Sequence, residues 1–171
     1  EYFNRIGRWG KWTGNTRADL RLKQYYRYLG DARLNNDQAL SNRSENYTLR
    51  NYSDMVYGKT SLGFQYLYNY LGDSLFDVAM QSYYETWKFK HPHPTDLKNA
   101  LEKSTGKSLD WFFDQWLGTT EKLDYAVTDL NTSPVAFDVT LKNCGEINGP
   151  VSIARLTNDG KQENYWVDGF D

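Results

Sequence analysis

The sequence predicts an α+β protein: a mainly α-helical part built of antiparallel helices, followed by a partial antiparallel β-sandwich. Three observations predict it. Apolar residues recur at helical spacing from Asp54 to about Leu117. After Thr119, Thr120, Glu121 and Lys122 the period falls to two, as in strands half-buried on one face. Turn dipeptides then punctuate the last fifty residues. The expected division is residues 1–119 as the helical domain and residues 120–171 as the β part.

The elements follow in order. A basic helix is expected from Arg17 to Leu29, entered at Asn15 or Thr16 and stopped at Gly30. Residues Asn35 to Ser53 are polar and asparagine-rich and read as one long loop, a length often found lining functional sites. Val56 to Leu71 is apolar or aromatic nearly all round, which predicts a central helix covered by its neighbours and stopped at Gly72. Phe76, Ala79, Met80, Tyr83, Tyr84 and Trp87 then form a single stripe. That helix should end near His91, before Pro92 and Pro94. Thr95 is the expected N-cap of the next helix, with Asp96 at its positive end and Gly106 as its stop. Ser108 opens another, in which Leu109, Phe112, Phe113, Trp116 and Leu117 share a face closed by Gly118.

Four strands are expected beyond. Tyr125, Val127 and Asp129 alternate in the first, and Val135, Phe137, Val139 and Leu141 share one face of the second. Val151, Ile153 and Leu156 mark the third, and Tyr165, Trp166 and Val167 the fourth. Asn148-Gly149 and Asp159-Gly160 are hairpin-type turns. Together these strands should make one thin sheet with an apolar face, which needs a second layer. No 34-residue period recurs, so a helical solenoid is not expected.

Composition narrows the function. At 171 residues and 20.0 kDa the chain can bury a core without a disulfide scaffold, and its single cysteine, Cys144, has no internal partner. Aromatics make up 16% of the residues (Trp 6, Tyr 14, Phe 8) under a mean hydropathy of −0.79, so rings must supply much of the core and their polar tips need partners. The net charge of −2 argues against a uniformly basic nucleic-acid binder. The first 33 residues are locally basic: Arg5, Arg8, Lys11, Arg17, Arg21, Lys23, Arg27 and Arg33 against Glu1, Asp19 and Asp31. Arginine interleaved with Trp9, Trp12, Tyr25 and Tyr26 could grip a nucleic acid or sugar, but reads better as a face packing on an acidic partner missing from this chain. No apolar run reaches the roughly 18 residues a membrane span needs, and no leader opens the chain. The start at Glu1 is expected of a processed or excised piece.

Few residues offer chemistry. Phosphate loop, nucleotide-binding glycine fingerprint, cysteine pair for zinc and nucleophile elbow are all lacking. His91 and His93 sit between prolines and read as a solvated turn rather than a metal site, for want of a third ligand. Asn42, Asn46, Asn51 and Asn131 head Asn-X-Ser/Thr sequons, which matter only in a eukaryotic secreted protein.

One ordered set of motifs stands out. Asn51 to Leu71 reads NYSDMVYGKTSLGFQYLYNYL, then comes GDSLF, and after the proline turn TDLKNALEKSTGKSLDWFFDQWL. This resembles the second half of the catalytic domain of the zinc aminopeptidases of the aminopeptidase N and leukotriene hydrolase family, the gluzincins. In that family a Tyr-X-Lys-Gly segment opens a buried helix, a Leu-Gly turn follows, and a late helix reads Phe-Phe-X-X-Trp-Leu. The likeness covers about Asn51 to Leu117, and the strands from Tyr125 to Phe170 suit the β domain that follows there.

The resemblance implies that Tyr57 is the tyrosine facing the reaction centre. Attack of a zinc-activated water on a peptide carbonyl gives a tetrahedral oxyanion, and a positioned phenol can stabilise it by donating a hydrogen bond. Losing one such donor typically costs about 10²–10³ in rate. Tyr52, five residues earlier, matches a second tyrosine lining the site in part of the family, and is the implied substrate-binding residue. Gly58 and Thr60 stand around Lys59 where the family usually has Glu and Gly. The chain has neither a His-Glu-X-X-His segment nor the family's Gly-X-Met-Glu-Asn segment, both upstream in family members. Metal ligands are therefore expected outside this chain, with zinc in the parent protein and none in the chain itself. The expected partners are a peptide substrate and the remaining N-terminal half of the same protein, with no nucleic acid and no membrane span. Family habit implies export. The isolated chain is expected to be inactive. The competing expectation is a non-catalytic helical and β-sandwich module holding a glycan or protein, betrayed by exposed tryptophans in a shallow groove. A parent that keeps the fold but has lost catalysis is the third.

Overall fold

The computed structural model describes residues 17–133, 137–157 and 159–169, with side chains described from Tyr25 onward. The chain is α+β. It forms two compact units, residues 1–64 and 65–171, the boundary falling inside a helix.

In the first unit, α1 (Arg17–Arg33) runs through Gly30 rather than stopping there. A glycine with ordinary helical φ does not end a helix when the next residues have a core to join. Tyr28, Asp31 and Ala32 are all buried. The stop is Asn35, whose φ of 53° places it in the left-handed region that asparagine tolerates. The expected caps Asn15 and Thr16, like Arg5, Arg8, Lys11, Trp9 and Trp12, lie outside the described residues.

The polar stretch is a loop only as far as Thr48. After a 3₁₀ turn (Ser44–Asn46), α2 (Leu49–Asn51) starts on Thr48, whose hydroxyl accepts from Asn51 N–H at 3.1 Å. The helix continues as a π-helical segment, Tyr52–Lys59, and then as α3 (Thr60–Leu71). At the end of the π segment Thr60 N–H reaches Met55 O, five residues back. α3 is less covered than its composition predicts. Gly63, Leu67 and Leu71 are buried, Ser61 and Asn69 are exposed, and the tyrosines lie between.

In the second unit, α4 (Asp73–Trp87) packs on α5 (Pro94–Thr105). α4 ends at Trp87, four residues before the expected stop, where Phe89 takes a φ of 62°. The N-cap of α5 is His93, not Thr95. Pro94 occupies the first helical position, where its missing N–H costs nothing, and Asp96 accepts from His93 N–H at 2.7 Å. Gly106 closes α5 at φ 68°. A second π-helical segment, Trp111–Leu117, buries Trp111 and Phe112.

The core of this unit is aromatic, as composition demands. Tyr66 and Tyr70 meet Trp111 and Trp166 edge-on, with ring centroids 5.3–6.1 Å apart. The tyrosine hydroxyls find partners: Tyr66 donates to Pro150 O at 2.6 Å, Tyr125 to Gly149 O at 2.8 Å and Tyr70 to Asp168 at 2.5 Å. Burial, and then the neighbouring Tyr125, push the Tyr66 phenol up to about 12.

The strands correct the single-sheet expectation. Among the described residues β1 (Tyr125–Thr132) pairs only with β2 (Phe137–Asn143), and β3 (Val151–Leu156) only with β4 (Gln162–Val167), both antiparallel. Asp159-Gly160 is the turn of the second hairpin, with Gly160 at φ 80°. Asn148-Gly149 joins the two hairpins instead of pairing β2 with β3. Gly149 is buried where a Cβ would lie 2.8 Å from Leu123 and 3.0 Å from Trp111, and Pro150 has no N–H for a ladder. Val127, Leu130, Phe137, Leu156 and Tyr165 are exposed, and Val135 lies outside the described residues.

Candidate functional site

Tyr52 and Tyr57 both lie on the π-helical segment of the first unit. In an α-helix residues five apart are turned about 140° from one another. In a π-helix the i→i+5 bonds bring them back over one face. The two rings accordingly meet edge-on, 6.1 Å between centroids at 73°. Tyr57 is 61% exposed and Tyr52 40%. Neither hydroxyl has a hydrogen-bond partner among the described residues.

The opposite face of the segment is locked down. Asp54, Met55, Gly58 and Lys59 are buried, Met55 and Lys59 completely. Asp54 Oδ1 pairs with Arg27 Nη2 at 2.8 Å, and its Oδ2 lies 3.6 Å from Arg50 Nε. Arg50 in turn forks onto the buried Asp31, at 2.7 and 3.2 Å. The Lys59 ammonium lies 5.9 Å from the centre of the Tyr28 ring. The Tyr28 phenol is held far above its ordinary range by burial, with the charge of Asp37 adding to it.

The entry to the segment is fixed as well. Asn51 is buried and donates to Asn36 O at 2.7 Å and Gln38 Oε1 at 3.0 Å. Gln38 Oε1 also accepts from Thr48 N–H, and its amide donates to Asn46 O. Tyr47 donates its hydroxyl to Ala39 O at 2.7 Å and sets its ring edge-on to Tyr52, 6.1 Å away. The result is a buried, hydrogen-bonded base under an outward aromatic strip on which the Tyr52 and Tyr57 phenols have no partner among the described residues. Such an arrangement can hold a hydrogen-bond donor where negative charge develops, at no cost in reorganisation.

Several sequence expectations change with the structure. The acidic partner of the basic helix is inside the chain, at least for Arg27, which meets Asp54. The signal was an aspartate set in an otherwise apolar and aromatic helix. The sequon at Asn51 cannot carry a glycan in the folded unit, because its amide is buried and doubly bonded. His91 and His93 are exposed, and no group of three or more His, Cys, Asp or Glu side chains converges among the described residues. Trp111 is buried and Trp87, Trp116 and Trp166 are half-buried, so the described residues offer no exposed tryptophan platform. No described helix is long and apolar enough to cross a membrane.

Compared with known proteins, residues 3–116 match the sequence model described as the peptidase family M1 domain. The chain is similar to aminopeptidase N of Lactococcus lactis subsp. lactis, 35% identical over 65 residues, which are 38% of this chain and 8% of that protein. It is similar also to probable aminopeptidase 2 of Sulfurisphaera tokodaii, 32% identical over 66 residues, 39% of this chain and 8% of that one. The matched stretch thus spans less than a tenth of either curated relative. No solved structure matches.

Proposed function

The chain belongs to peptidase family M1, and from that premise we propose that it is part of a zinc-dependent aminopeptidase hydrolysing N-terminal peptide bonds. Residues 1–119 would be the C-terminal part of the catalytic domain, and residues 120–171 the start of a β-sandwich domain. Tyr57 donates its O–H to the oxyanion that forms on the scissile carbonyl, and Tyr52 lines the substrate side. The partners are a peptide substrate and the N-terminal remainder of the same protein.

The observation that carries this reading is the contrast across one helical segment. Tyr57 is exposed, with no partner for its hydroxyl among the described residues, while Asp54 on the opposite face is buried and ion-paired. The described residues bring together no group of three or more His, Cys, Asp or Glu side chains, and the proposal places the metal ligands in the rest of the protein. What this chain supplies is the donor and its rigid mounting. The buried and half-buried tryptophans weigh against the glycan-binding module.

The test is Tyr57→Phe in the complete protein. We expect kcat to fall by about 10²–10³, with KM and zinc content close to those of the parent. A kcat within about threefold of the parent would remove Tyr57 from the reaction. The isolated 171-residue chain is expected to hydrolyse no peptide.

A further inference from the structure

We propose that Tyr47 is a positioning residue for Tyr57, acting through the ring of Tyr52. The inference rests on the reading of Tyr57 as the oxyanion donor. Three rings form a ladder along the outside of the first unit. Tyr47 meets Tyr52 at 6.1 Å and 77°, and Tyr52 meets Tyr57 at 6.1 Å and 73°. Exposure rises along it, from the half-buried Tyr47 to 40% at Tyr52 and 61% at Tyr57.

Only the first rung is tied. Tyr47 donates to Ala39 O at 2.7 Å, and burial raises its phenol above the ordinary tyrosine range. The backbone on both sides is held by the Gln38–Thr48–Asn51 hydrogen bonds. Tyr52 and Tyr57 have no hydroxyl partner of their own among the described residues. An exposed tyrosine without such an anchor samples several side-chain rotamers. Edge-to-face contact disfavours those that leave the neighbouring ring. Orientation is therefore passed from the anchored ring to the outermost one. A donor must stand where the oxyanion will form, so loss of the anchor lowers the reactive fraction of Tyr57 without touching substrate.

The experiment is a double-mutant cycle in the complete protein, with kcat, KM and zinc content measured separately. Tyr47→Leu removes the ring, Tyr47→Phe keeps the ring and removes the anchor, and Tyr57→Phe is the reference. We expect Tyr47→Leu to lower kcat about 2- to 10-fold at unchanged KM, the range an aromatic pair supports. Tyr47→Phe should be affected less. In the Tyr57→Phe background Tyr47→Leu should cost nothing further, because its effect runs through the missing hydroxyl. In metal-free protein, Tyr47→Leu should also move the ring signals of labelled Tyr57 in NMR spectra. Equal losses from Tyr47→Leu in both backgrounds, or unchanged kcat and ring signals, overturn the proposal. A Tyr57→Phe protein that keeps its kcat overturns the underlying reading and this one with it.

Discussion

Arg50 and Asp31 form a pair whose two halves differ in burial, and the difference sets the cost of losing each. The Arg50 side chain is 67% exposed and that of Asp31 2%. Arg50→Ala leaves a wholly buried carboxylate without its cation, a change that typically costs about 3–5 kcal/mol. Asp31→Asn instead returns a mostly hydrated guanidinium to water and leaves it near Asp54 at 3.6 Å. The loss there is that of charge-assisted hydrogen bonds, about 1.5–3 kcal/mol. For a chain of this length each kcal/mol moves Tm by about 2–4 °C. Arg50→Ala should therefore lower Tm by about 6–20 °C, and Asp31→Asn by roughly half as much. Thermal melts followed by circular dichroism give both shifts, and urea unfolding, with the slope checked for constancy, gives the free energies behind them. If Asp31→Asn proves as damaging as Arg50→Ala, the burial argument is wrong.

Two further outcomes follow from the second unit and one from the first. Tyr66 has its phenol raised to about 12, so the folded state keeps a proton that the unfolded chain releases near 10. The associated stability is intact below about pH 10 and is lost as pH rises towards about 12. Tyr66→Phe should flatten that alkaline decline in pH-dependent denaturation, while costing about 1 kcal/mol at neutral pH through the lost bond to Pro150 O. Gly145→Ala would place a Cβ 2.1 Å from Lys122 O and 2.9 Å from Asp124 N, both backbone atoms. It should destabilise by about 1–3 kcal/mol in thermal melts, whereas Gly30→Ala, inside α1 with nothing within 4 Å, should stabilise slightly.

Much of this architecture can be read from local pattern. The stripe of α4, the αL stop at Gly106 and the Asp159-Gly160 turn each rest on a few neighbouring residues. The start at Thr48 was hidden by the asparagines around it, although a threonine before Leu49 is a capping signal. Tyr57 stood out because a motif surrounds it, yet nothing local announces that its segment is π-helical. That widening brings Tyr52 round to Tyr57, and the matching burial of Asp54 against Arg27 is settled between residues far apart in sequence. Strand pairing is hidden from local pattern for the same reason. Alternation marks each strand but does not say which neighbour it takes, and the burial of Gly149 decides that β2 and β3 separate.

A π-helical turn amounts to an α-helix carrying a spare residue, and this gives the chain a reading frame of its own. Deleting a single residue between positions 52 and 59 would let the ordinary helix close. Everything before the deletion would then swing by about 100° relative to Thr60–Phe64. Such a shift would turn the ring of Tyr52 away from that of Tyr57, even with both side chains retained. The segment should accordingly accept many substitutions and almost no change in length.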